Sequence, residues 1–239
     1  MQSKTKGLIA CMEITVFLEV VGIVAFTLVG VLVGIEYELD IFGIYAVSFC
    51  SALGGGMIRD LCLHRTPVAL TYYLYPITVF TTVTVAVIFI KFFEKKFNKQ
   101  NIHILKKFIN IFDAVGLGMF TVASCQIAVD YGFGDNIIMV VFAGLITSIG
   151  GGVLRDLLAA RKPVVMRKDV YAVISIFGCV LYYVIYPYVP QSVSNYLVAA
   201  VVTIFRLIAY FRKINMSYSI TNVDLKINQD NLDNNDDIK

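Results

Sequence analysis

The sequence predicts an all-α integral membrane protein with seven transmembrane helices: two inverted three-helix repeats plus a seventh helix. Three observations predict it. The 239-residue chain is 58% apolar and only 15% charged, with mean hydropathy +0.77; a soluble domain carries about 25% charged residues. Its apolar residues fall into runs long enough to cross about 30 Å of hydrocarbon at about 1.5 Å per residue. A near-identical octet also occurs twice, 96 positions apart: Gly-Gly-Gly-Met-Ile-Arg-Asp-Leu at 54–61 and Gly-Gly-Gly-Val-Leu-Arg-Asp-Leu at 150–157.

The spans are expected near 10–34, 42–63, 72–92, 108–130, 137–158, 169–188 and 193–211. No Ala-x-Ala cleavage site follows the first run, which is read as a retained span. The second and fifth helices are expected to be kinked at the glycine triplets, because glycine weakens a helix and lets it bend. Span three opens on Tyr72, Tyr73 and Tyr75, and span six closes on Tyr182, Tyr183, Tyr186 and Tyr188. In a chain without Trp, these tyrosines are expected to serve as interfacial anchors. The resulting organisation is an extracytoplasmic segment at 1–9, the first repeat at 10–92, a basic linker at 93–107 and the second repeat at 108–188. The seventh helix follows at 193–213, then a polar tail at 214–239 that cannot bury enough apolar area to order itself.

The repeat extends beyond the octet. Arg65 and Arg161, Pro67 and Pro163, and Tyr75 and Tyr171 share the 96-residue offset. Upstream the offset is 94, pairing Glu19 with Asp113, Gly22 with Gly116, Phe26 with Phe120 and Thr27 with Thr121. Each unit has three spans, an odd number, so the second copy enters the membrane from the opposite side. That is an inverted-topology repeat.

Four Lys and Arg residues fall on one side of this topology and sixteen, Arg206 among them, on the other. The basic side is expected to be cytoplasmic, with the N-terminus outside and the C-terminus inside. The five cysteines show no CxxC spacing, so they read as small apolar residues rather than a disulfide framework or zinc site. No phosphate loop, His-rich metal spacing or Ser/His/Asp set is present, and no cofactor or enzymatic chemistry is expected. His64 and His103 are expected to be solvated.

The candidate functional groups are intramembrane and polar. A bend at Gly54, Gly55 and Gly56, and at Gly150, Gly151 and Gly152, would free backbone carbonyls as transient ligands for K⁺ or Na⁺. The alternative is close helix packing. Arg59 and Asp60, and Arg155 and Asp156, follow the triplets; they line the path or are the wet ends of helices. Two arginines beside a cation path would gate or position rather than coordinate. Glu19 and Asp113 are intramembrane carboxylates, either functional or in structural ion pairs with those arginines. Lys95, Lys96, Lys106, Lys107, Arg167 and Lys168 could meet anionic lipid head groups, or could only set topology.

Two three-span repeats, each with Gly-Gly-Gly-x-x-Arg-Asp-Leu and a following Pro, plus a seventh span, resemble the prokaryotic branch of the trimeric intracellular cation (TRIC) channel family. The resemblance covers about residues 10–211. It implies a homotrimer in the plasma membrane with one potassium-permeable pore per subunit, placed between the repeats. Arg59 and Arg155 would lie beside that path. The Lys-Glu-Val tripeptide that animal members use with phosphoinositide lipid is absent here. Related bacterial proteins also carry a glycine-transporter domain label, so a secondary transporter for a glycine-like amino acid stands as the second reading; a scaffold without transport is the third. No nucleic-acid partner is expected, because the basic residues flank membrane spans. Replacing Gly55 and Gly151 with Leu is expected to abolish conductance and leave assembly intact.

Overall fold

The structure is a computed structural model describing residues 2–93, 102–166 and 170–212. The element order is α1 Gln2–Glu36, α2 Ile41–Cys62, the single turn α3 Val68–Thr71, α4 Leu74–Phe93, α5 Ile102–Ala128, α6 Ile137–Leu158, α7 Val170–Ile185 and α8 Gln191–Phe211. Among the described residues, six helices are long and apolar enough to cross a membrane, and the sixteen-residue α7 is a shorter apolar helix. A π-helical turn at Val129–Phe133 extends α5, with Gly132 in the left-handed region at its end.

The inverted repeat is present in the contacts. α1 and α5 pack against one another at the centre, as do α2 and α6. Where α1 crosses α5, Phe26 and Phe120 stack edge-on at 5.2 Å. Each ring lies over the glycine of the other helix, Phe26 on Gly116 and Phe120 on Gly22. These four residues are two matched pairs at the 94-residue offset, so the symmetry axis runs through their contact.

The helix ends repeat as well. Asp40 Oδ1 caps α2 by accepting from Gly43 N at 2.7 Å, and Asn136 Oδ1 caps α6 by accepting from Met139 N at 3.1 Å. Both satisfy amides that a helix leaves unpaired. Past the far ends, His64 (φ 56°) and Ala160 (φ 51°) hold the left-handed conformation. The next amides, of Arg65 and Arg161, then bond back to the Asp60 and Asp156 carbonyls at 3.0 and 2.9 Å. His64 is exposed, as expected. An alanine in this conformation is strained, so Ala160→Gly is expected to stabilise the protein by about 0.5–1 kcal/mol, read as a higher unfolding temperature in detergent. An unchanged or lower temperature would count against the strain.

The symmetry breaks at the periphery. α8 lies against Gly118 of α5 and Gly178 of α7. The matched positions in the first repeat, Val24 and Thr82, instead line an open apolar groove of about 550 Å³ beside α4. Accordingly α4 is the least covered span, with 17% of its apolar window buried against 61% for α1 and α5.

Candidate functional site

The middle glycine of each triplet decides how α2 and α6 meet. A Cβ on Gly55 would clash with the Thr147 carbonyl oxygen, and one on Gly151 with the Ser51 carbonyl oxygen. The two backbones therefore touch, running in opposite senses, at matched positions. Helical backbone runs unbroken through both triplets. This corrects the expected freeing of carbonyls by an unwound segment: Gly54, Gly55, Gly56, Gly150, Gly151 and Gly152 supply close approach within continuous helix. The oxygens facing the crossing belong to Ser51 and Thr147, one turn before the middle glycines. Because the crossing is backbone on backbone, the expectation that leucine at Gly55 and Gly151 would spare assembly is corrected too.

Antiparallel crossing sends the two Arg-Asp pairs to opposite sides of this contact. On the first, Arg59 Nε donates to Asp60 Oδ1 at 2.8 Å, and its Nη1 donates to Glu19 Oε1 at 3.1 Å and to Ser124 Oγ at 2.9 Å. Tyr75 OH donates to the other Glu19 oxygen at 2.7 Å. Asp60 Oδ2 accepts from Val68 N at 2.9 Å, and Arg65 lies 3.5 Å from Asp60. Arg59, Asp60 and Glu19 are buried at 2%, 1% and 8% exposure, so none is a wet helix end.

The second side repeats the plan. Arg155 Nε donates to Asp156 Oδ1 at 2.8 Å and its Nη1 to Asp113 Oδ1 at 3.3 Å. Asp156 Oδ2 accepts from Val164 N at 2.9 Å, and Arg161 Nε donates to Asp156 Oδ1 at 2.9 Å. Each loop arginine also reaches an aromatic ring of the other repeat, Arg65 over Tyr131 at 4.5 Å and Arg161 over Tyr37 at 5.5 Å. Charges this deep persist only with partners, and each arginine has two or more.

The six charged residues expected at the site are thus all brought together, three per network. Sequence reasoning misses the rest. Tyr75, expected at an interface, is instead 5% exposed and bonded to Glu19. Tyr182 is fully buried and donates to Gln126 Oε1. Tyr72, Tyr73 and Tyr188 are well exposed, as anchors would be. Arg206, counted with the cytoplasmic charges, is buried on α8, 3.8 Å from Asp113 Oδ2. The shared 96-residue offset of Tyr75 with Tyr171 and of Arg65 with Arg161 is the available signal; Ser124 and Arg206 carry none, having no matched polar partner. Lys106 pairs with Glu36 at 3.6 Å, and Lys107 lies over Phe211 at 6.0 Å. Lys95, Lys96, Arg167 and Lys168 lie outside the described residues.

A cavity of about 30 Å³ sits in the first network, lined by Glu19, Arg59, Asp60, Tyr75, Gly56 and Thr147 among others. That volume holds one or two waters. No group of three or more His, Cys, Asp or Glu residues is arranged to hold a metal ion among the described residues.

A family model described as a glycine transporter matches residues 16–91 and 110–187, one copy on each repeat. The chain belongs to this family, the TRIC family. It is 36% identical over 163 residues to the UPF0126 membrane protein YvgT of Bacillus subtilis (strain 168), covering 67% of this chain and 75% of that one. It is similar to a prokaryotic TRIC channel solved in 0.5 M KCl, with 30% identity, TM-score 0.75 and coverage of 86% and 100%. A TRIC trimeric intracellular cation channel orthologue from Rhodobacter sphaeroides aligns with 29% identity, TM-score 0.71 and coverage of 84% and 98%. The TRIC family member described here is therefore a multi-span membrane protein with the architecture of a cation channel.

Proposed function

We propose that the protein is a monovalent cation channel, permeable to potassium, with one pore per subunit between its two repeats, assembled as a homotrimer. The observation that carries this reading is the pair of buried Arg-Asp networks on opposite sides of the Gly55–Gly151 crossing, in a fold shared with TRIC channels. On this reading the path runs through the α2–α6 contact, and the touching helices close it. Conduction requires them to part. The Ser51 and Thr147 carbonyls, rather than those of the triplets, are then the oxygens placed to replace part of an ion's hydration shell. Glu19 and Asp113, one per side, attract cations, and their arginines keep them from binding one too tightly. The protein acts without catalysis, driven by the electrochemical gradient. The balance of basic residues supports a plasma-membrane protein with its N-terminus outside and C-terminus in the cytoplasm. Lys106 and Lys107 then lie on the cytoplasmic side, within reach of anionic head groups.

The family description favours a second reading, a secondary transporter for a glycine-like amino acid. The 30 Å³ cavity between Glu19 and Arg59 offers an amine and a carboxylate their partners but holds only water-sized occupants in this conformation. One experiment separates the two. Purified protein in a planar bilayer under a KCl gradient is expected to give unitary currents reversing at the potassium potential. Saturable glycine counterflow without current would replace the channel with the carrier.

A further inference from the structure

The two networks differ at the second oxygen of the intramembrane carboxylate. In the first, the second oxygen of Glu19 is taken by a neutral phenol, Tyr75, at 2.7 Å. In the second, the matched phenol of Tyr171 also neighbours its carboxylate, Asp113, but the guanidinium of Arg206 sits over the Tyr171 ring at 4.4 Å. The second oxygen of Asp113 faces Arg206 Nη2 at 3.8 Å. The second network therefore holds, beside its phenol, a cation that the first lacks. Arg206 has no counterpart in the first repeat, because α8 follows the second repeat alone.

Arg206 is also loosely held for a buried charge. It is 3% exposed, and neither its Nε nor its Nη2 makes a hydrogen bond. Arg59 and Arg155, by contrast, are anchored by hydrogen bonds of 2.8–3.3 Å. A desolvated cation with one long ion pair and an aromatic face is the partner in this network least costly to displace.

We propose that Arg206 is a tethered cation that occupies Asp113 Oδ2 in place of a permeating ion, and so closes the second-repeat half of the path. Opening of that half exchanges the guanidinium for the ion at the same carboxylate oxygen. Arg155 keeps the other oxygen and holds Asp113 in position throughout. While Arg206 is in place, its charge adds a repulsive barrier to cations in a low-dielectric wall. This inference rests on the channel reading above.

The test is single-channel recording of Arg206→Met and Arg206→Lys in planar bilayers with symmetric KCl. Arg206→Met is expected to raise open probability on the order of tenfold and to alter rectification, since only one half loses a fixed charge. Arg206→Lys keeps the charge and is expected to stay near wild type. Asp113→Asn added to Arg206→Met is expected to cancel the gain. Arg206→Gln is recorded in parallel, so a folding failure of the methionine variant leaves the same comparison in hand. Wild-type open probability and rectification in the neutral variants, or a lysine variant that opens like the methionine one, overturns the proposal. A wild-type protein without current removes the channel reading and this inference with it; active channels with unchanged gating remove only the inference.

Discussion

Gly151→Ala is expected to destabilise the folded protein strongly, whereas Gly152→Ala leaves it near wild type. A methyl group on Gly151 meets the Ser51 carbonyl oxygen and lies 3.1 Å from its carbon, and both are backbone atoms of a packed helix. They have no rotamer to escape to, so α2 and α6 must move apart along their buried length. Overpacking a tight core costs about 1–3 kcal/mol and occasionally more; with backbone as the obstacle the top of that range is expected. On Gly152 the same methyl group would lie 3.6 Å from Arg155 Nη2, an ordinary contact. The first repeat gives the same contrast, with Gly55 blocked by the Thr147 carbonyl and Gly56 open at 3.7 Å. The measurement is thermal unfolding and monodispersity in detergent across the four alanine variants. Were the triplets hinges that depend on flexibility, all four would suffer alike, and that result would defeat the packing account.

The second large effect is an asymmetry between arginines. Arg59→Met is expected to cost about 3–5 kcal/mol, the usual result of stranding buried charges, and more than Arg155→Met. Without Arg59, Glu19 keeps only the Tyr75 hydroxyl, and Asp60 keeps Arg65 at 3.5 Å. Without Arg155, Asp113 still faces Arg206 at 3.8 Å, and Asp156 keeps hydrogen bonds from Arg161. A second guanidinium serves each carboxylate there. Adding Glu19→Gln to Arg59→Met removes one stranded charge and is expected to recover part of the loss. Denaturant unfolding of the single and double variants checks this; equal losses at the two arginines would show that the second cations contribute nothing.

Much of this site is legible in the order of residues along the chain. The 96-residue offset pairs Arg59 with Arg155 and Asp60 with Asp156, and the 94-residue offset pairs Glu19 with Asp113. An intramembrane charge needs a partner, so the six are candidates to meet. The glycine triplets are legible as special but not as to which property matters. Flexibility and small size are both consequences of a missing Cβ, and sequence alone does not separate them. The neighbour that touches Gly151 lies 100 residues away, at Ser51, in a register only the packed helices set. Sequence reasoning misplaces Tyr75 because an aromatic near a span end suits an interface equally well, and no spacing along the chain sets the start of α4 against Glu19.

By itself the sequence determined the membrane class, the doubled three-helix plan with its inverted sense, and the residues that must be paired. Each follows from local chemistry: hydrocarbon tolerates few charges, three spans reverse direction, and a buried ion requires its counterion. The tertiary structure alone decided that the triplets are contact points, that Ser124 completes one network and that Arg206 of α8 enters the other. Those depend on how helices distant in the chain are set against one another at ångström precision, which no spacing along the chain encodes.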